Sequence, residues 1–248
     1  MDILIFGGQS NMQGQTNVFP APNHPVPGAM EYRHLTGTYI PLCHPVGENI
    51  EDHILAAHEG NGSLMPDFVD VYRKYRHTEI GAVHAAKGAT TIAQWEKGTP
   101  RYNTALAKIR GAIAAAPEPV EHIYYIWLQG ESDAILSNTE ENYYRALVEY
   151  KNALKKDCGI EKFGIIRVGY FNYGTPEKDE AIMAAQDRAC REDGDFLMLT
   201  RLASVLSRDI RYLNPYASGH YSNEGLAVLA AEAARTLAMH AMGLSDNI

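Results

Sequence analysis

The chain alternates between two apolar patterns along most of its length. Short unbroken runs occur at Ile3-Leu4-Ile5-Phe6, "EIGAVHAA" (79–86), "EHIYYIWLQ" (121–129), "FGIIRVGYF" (163–171) and "FLMLTRL" (196–202). They are too short for helices and rich in branched and aromatic residues, as strands buried on both faces are. Between them, apolar residues recur at helical spacing in "MPDFVDVYRKYR" (65–76), in "TPRYNTALAKIRGAIAAA" (99–116), and over about 140–156, 177–193 and 222–242, with Ser222 as a cap for the last. Strands alternating with helices predict a parallel sheet covered on both faces.

Residues 15–60 break this rhythm. They are rich in Pro, His and Gly, and only "YRHLTGTYIPL" alternates, around Thr36-Gly37, as a small hairpin would. An irregular stretch of this length inside an α/β unit is usually functional, so it is expected as a rim or lid beside a site.

Composition narrows the function classes. At 248 residues, 46% hydrophobic and 21% charged, the chain suits one α/β domain over 1–248, and nothing in it looks like an interdomain hinge. A net charge of −8 argues against nucleic-acid partners and against charge-driven binding to anionic membranes; a neutral or weakly charged substrate fits better. No apolar run approaches the roughly 18 residues of a membrane span. The chain starts on a strand without a basic-then-apolar leader, so it reads as cytoplasmic, or as a mature form whose leader is gone. Cys43, Cys158 and Cys190 form no Cys-x-x-Cys pair and read as free thiols. His24, His34, His44, His53 and His58 match no zinc spacing, so no metal is expected.

Three places where chemistry can sit fall at strand exits or helix starts, the ligand-binding edge of an open α/β sheet. In "LIFGGQSNMQG" (4–14), Ser10 follows the first strand; in "WLQGESDA" (127–134), Gln129, Glu131 and Asp133 follow the third; in "SGHYSNEGL" (218–226), His220 precedes the last helix. Each has an ordinary structural reading as a turn residue, a helix-start charge or a surface imidazole. Together they supply a nucleophile, a base and an acid. A serine hydroxyl is a poor nucleophile until an imidazole accepts its proton, and a carboxylate can orient that imidazole and stabilise its charge. Ser10, His220 and Glu131 would fill these roles. The oxyanion formed on attack needs donors, offered by the N–H of Ser10, that of Gly62 in "EGNGSLMPDF" (59–68), and the Gln129 side-chain amide. "GGQSNMQG" fits neither nucleotide-binding glycine pattern, so no cofactor is expected.

"GGQSNMQG", "WLQGESDA" and a late histidine before the last helix resemble the SGNH-type hydrolases of the sialate O-acetylesterase and acetylxylan-esterase group, known as carbohydrate esterase family 6. "KGATTIAQW" (87–95) is similar to that group's Gly-Gly-Thr or Gly-Gly-Ser segment followed by a tryptophan, and "GNGSLMPDF" sits where the group carries an oxyanion glycine. The likeness runs from residue 3 to about 238. It implies a three-layer α/β/α flavodoxin-like fold around a mostly parallel five-stranded sheet. It also implies cofactor-free hydrolysis of acetyl esters on a carbohydrate, acetylated xylan or a sialic acid, through a serine acyl-enzyme. By the same likeness Ser10 is the nucleophile, His220 the base, and Gly62 and Gln129 oxyanion-hole members. The sequence departs from the usual pattern at Ala217, where many such enzymes carry the Asp that supports the histidine. Glu131 is then the first candidate for the acid, Asp133 the second, and a Ser-His dyad with backbone or water support the third. Gln9, Asn11, Trp95 and Asp133 are expected around the substrate, with Trp95 as an aromatic rim for a sugar and Trp127 in the core. Two other readings remain open: an esterase or thioesterase acting on a non-carbohydrate acyl group, and an idle carbohydrate-binding relative.

Overall fold

The five apolar runs form five parallel strands, whose order explains where a site can be built. In the computed structural model, which describes residues 1–16, 21, 24–171 and 174–244, they are β1 (Asp2–Gly8), β4 (Ile80–Ala86), β5 (His122–Leu128), β6 (Lys162–Ile166) and β7 (Phe196–Thr200). They lie in the order β4-β1-β5-β6-β7, that of flavodoxin-like doubly wound sheets. Two further strands from the 15–60 region, β2 (Ala29–Arg33) and β3 (Thr38–Pro41), extend the sheet beyond β4 to seven strands. The hairpin expected around Thr36-Gly37 is therefore part of the sheet, β2 pairing parallel with β4 and antiparallel with β3. The expected count of five omitted it because β3 is an exposed edge strand, without the continuous apolar run of a buried one.

The helices are α1 (Ser10–Gln13), α2 (Leu64–Arg76), α3 (Pro100–Ala114), α4 (Glu131–Ile135), α5 (Glu140–Cys158), α6 (Pro176–Glu192), α7 (Ala203–Leu206) and α8 (Asn223–Ala241). Helices α2, α3, α5 and α8 begin where capping chemistry predicts: Ser63, Thr99, Thr139 and Ser222 each accept a backbone N–H with the side-chain oxygen. Helices α2 and α8 pack on one another, and α5 packs against α3 and α6. Ile3, Leu4, Ile5 and Phe6 of β1 are wholly buried between these layers, each such side chain contributing about 1.5–3 kcal/mol. Cys43, Cys158 and Cys190 are free thiols. No helix among the described residues is long and apolar enough to cross a membrane.

Strand β6 ends at Ile166, five residues before the apolar run does, because other partners claim the backbone beyond it. The Val168 N–H donates to Gln186 Oε1 (3.0 Å) and that of Tyr170 to Ser207 Oγ (2.9 Å). The freed segment carries Phe171 to the carboxyl edge of the sheet, edge-on to the His220 ring at 5.4 Å.

Strand β1 lies between β4 and β5, where the winding of the sheet reverses and a crevice opens at the strand ends. The chain leaves β1 through Gly8 at φ +143°, where a Cβ would stand 2.0 Å from the Leu128 carbonyl oxygen. Only glycine permits that close approach, and it delivers Ser10 to the mouth of the crevice.

Candidate active site

Ser10, 7% exposed, is the first residue of α1. His220 reaches it from the turn ahead of α8, its Nε2 standing 2.8 Å from Ser10 Oγ. The other ring nitrogen, Nδ1, lies 3.0 Å from the Ser218 carbonyl oxygen and 3.3 Å from that of Ala217. Carbonyls only accept, so the proton sits on Nδ1 and Nε2 is the acceptor for the Ser10 hydroxyl. Burial holds the imidazole below its ordinary value, and nearby His58 adds to the effect against the two carbonyls. The ring is thus kept neutral and oriented to take a proton.

Glu131 does not reach His220. It is 3% exposed, and its Oε1 accepts from Asn11 Nδ2 at 2.8 Å while Oε2 has no partner among the described residues. Burial pushes its carboxyl above the usual range, reinforced by the neighbouring Asp179 and Asp133. A carboxyl that resists ionisation is poorly suited to balance an imidazolium. Asn11 carries its influence onward: Oδ1 accepts the Tyr221 N–H at 3.2 Å, and Nδ2 approaches the Gly219 carbonyl at 3.5 Å. Asn11 thus clamps the backbone on both sides of His220. Of the three arrangements open from sequence, the geometry favours the dyad with backbone support.

Asp133 is a brace. Its carboxylate accepts from Gln129 Nε2 (2.6 Å), Ile92 N–H (2.9 Å) and Asn138 Nδ2 (2.9 Å), and it does not line the crevice. Gln129, expected at the oxyanion, is wholly buried: its Nε2 also donates to the Thr90 carbonyl (2.7 Å), and its Oε1 accepts from Tyr143 (2.9 Å). Gly62 is likewise displaced from that role, its N–H donating to Thr16 Oγ1 at 2.9 Å. Trp95 is no sugar rim. It is wholly buried, its ring centroid 5.7 Å from that of Trp127 and its indole N–H bonded to Thr90 Oγ1 at 3.0 Å. Packing rather than ligand recognition accounts for it. Gln9 does face the crevice, and its Oε1 takes the Ser132 N–H at 3.1 Å and that of Gly130 at 3.4 Å, joining the turn after β1 to the turn after β5.

The crevice around Ser10 has a volume of about 310 Å³. The 15–60 region contributes Gln15, Leu55 and His58 to its wall; its residues 17–20, 22 and 23 lie outside the described residues. Sequence reasoning missed Gln13, Gly88 and Ala89. A Cβ on Gly88 would lie 3.3 Å from that of Ser10. The Gly88 N–H donates to Gln13 Oε1 at 2.7 Å, and Gln13 Nε2 to the Ala56 carbonyl at 2.7 Å. Ala89, at φ +56°, is a non-glycine residue in the left-handed region beside the nucleophile, a place where backbone strain often serves function. The N–H groups of Ser10 and Ala89 have no hydrogen-bond partner among the described residues. The only sequence pointer to this wall was the segment "KGATTIAQW". No group of three or more His, Cys, Asp or Glu among the described residues is arranged to hold a metal ion.

Comparison with known proteins bears on this geometry. A probable carbohydrate esterase of Arabidopsis thaliana is 24% identical over 185 residues, 69% of this chain and 70% of its own length. A solved structure of an Arabidopsis thaliana protein superposes with a TM-score of 0.72 at 18% identity, covering 94% of this chain and 96% of that one. The fold is shared too with a carbohydrate acetylesterase from Xanthomonas citri (TM-score 0.57, 15% identity, 98% of this chain and 56% of that one). A mutant acetyl-xylooligosaccharide esterase from Geobacillus stearmophilus superposes with a TM-score of 0.52 at 11% identity, covering 94% and 91%. The family described as "Carbohydrate esterase, sialic acid-specific acetylesterase" matches residues 1–238, and with 238 of its 248 residues matched this chain belongs to that carbohydrate esterase family.

Proposed function

We propose that the protein is a serine esterase that removes O-acetyl groups from a carbohydrate through an acyl-enzyme, with Ser10 as nucleophile and His220 as general base. The observation that carries this reading is the 2.8 Å contact between Ser10 Oγ and His220 Nε2, with the opposite ring nitrogen bonded to carbonyls. Nε2 takes the hydroxyl proton as Ser10 Oγ attacks the acetyl carbonyl. The tetrahedral oxyanion is held by the N–H groups of Ser10 and Ala89 in place of the donors expected from Gly62 and Gln129. The imidazolium then returns its proton to the departing sugar oxygen, leaving Ser10 acetylated. Water, deprotonated by the same imidazole, releases acetate and restores the serine. The imidazolium is stabilised by the Ala217 and Ser218 carbonyls, and Glu131 acts at one remove by fixing Asn11 and, through it, the His220 turn.

Acetate release from an acetylated xylooligosaccharide, followed for the parent protein and for Ser10→Ala and His220→Ala, tests the proposal. Loss of turnover in both folded variants is expected. Turnover that survives in folded Ser10→Ala would rule out serine catalysis.

A further inference from the structure

The crevice carries information about the sugar itself. Besides Ser10 and His220, its polar side chains among the described residues are three amides (Gln9, Gln13 and Gln15), one hydroxyl (Ser132) and one imidazole (His58), and the rest of the described wall is apolar or glycine. No Lys or Arg lines it. All 22 Lys and Arg residues of the chain are among those described, so none is left to be supplied by the segments outside them. The cations nearest along the chain are engaged elsewhere: Lys87, beside Gly88, pairs with Asp52 at 3.2 Å, and Arg167, four residues before Phe171, pairs with Asp187 at 2.6 Å.

A sialic acid brings a carboxylate that must lose water on binding. Without a cation or a set of aimed donors, an ionised group taken from water is left uncompensated. A neutral acetylated sugar brings only hydroxyls and an ester, which the amides and Ser132 can serve. We infer that this site takes a neutral O-acetylated sugar and selects against one bearing a carboxylate, although the matching family is described by its action on sialic acid. The inference rests on the esterase reading above and adds the substrate's charge to it.

The test is acetate release, as kcat/KM near neutral pH, from an O-acetylated sialic acid and from the same compound with its carboxyl group methylated, which differ in that charge and in one methyl group. An O-acetylated methyl xyloside serves as the neutral reference and p-nitrophenyl acetate as the control for the chemistry. The methyl ester is expected to be favoured by about tenfold or more. Ile135→Arg, at a 46% exposed position on the crevice wall, is expected to narrow that preference, read as the ratio of the two kcat/KM values within the variant. Ser10-dependent hydrolysis of p-nitrophenyl acetate with the free acid equal to or better than its methyl ester overturns the inference alone. So does an Ile135→Arg variant that leaves the preference unmoved. If p-nitrophenyl acetate and every sugar acetate resist Ser10-dependent hydrolysis, the esterase reading falls, and the inference with it.

Discussion

Glu131 Oε1 lies 2.8 Å from Asn11 Nδ2, and Asn11 holds the peptide groups that flank His220. In this geometry the carboxyl group acts on the backbone of the His220 turn and leaves the imidazole to the carbonyls of Ala217 and Ser218. Glu131→Gln keeps an acceptor for Asn11, so its kcat is expected to fall by less than about tenfold. A residue that set the histidine tautomer directly would cost about 10⁴-fold. Asn11→Ala, which frees the turn, is expected to lower kcat by about 10²-fold with little change in KM, since misplacing a reacting group costs about that much. Steady-state kinetics on both variants, checked by circular dichroism, separate the roles: a near-total loss in Glu131→Gln would return Glu131 to direct support of His220.

The pH dependence follows from the same imidazole. Burial lowers the His220 value, so the base stays neutral further into acid, and the acidic limb of kcat/KM is expected below the usual imidazole value of about 6.5. The Ala217 carbonyl lies 3.3 Å from Nδ1, which makes position 217 the natural place for a supporting carboxylate. Ala217→Asp favours the charged ring. It is expected to move the acidic limb upward and to raise the plateau by about tenfold. A pH–rate profile unchanged by the substitution would show that the backbone carbonyls already supply the support.

The buried state of Trp95 makes a prediction of a different kind. Trp95→Ala removes an indole packed edge-on against Trp127 and its bond to Thr90 Oγ1. The expected cost is roughly 3–5 kcal/mol of stability, measurable by urea unfolding. KM for small acetyl esters should hold in the folded fraction, and a large KM rise without loss of stability would restore Trp95 to the substrate site.

The residues that were legible in the sequence share one property: their roles depend on where the backbone turns. Ser10 and His220 follow from a strand exit and a helix start, and five of the six mutually parallel strands from unbroken apolar runs. Partners for donors and acceptors were not legible. Gln129 looks like a free amide after a strand, yet Thr90 and Asp133 take its N–H groups. Gly62 looks like an open N–H, yet Thr16 fills it from 46 residues away. Trp95 ends a short 3-10 helix, Ile92–Trp95, and packs against Trp127 instead of facing out, a tertiary outcome that local pattern does not encode. Ala89 gave no signal because a left-handed backbone at alanine is imposed by its surroundings.

The central claim is that Ser10, activated by His220, takes the acetyl group covalently. Brief mixing with p-nitrophenyl acetate, an acid quench and peptide mass spectrometry test it directly. The account predicts one acetyl group on the peptide containing Ser10, formed with a burst of nitrophenol and absent from Ser10→Ala and His220→Ala. Steady hydrolysis by the folded parent protein that persists undiminished in Ser10→Ala, with no acetyl group on that peptide, would contradict it.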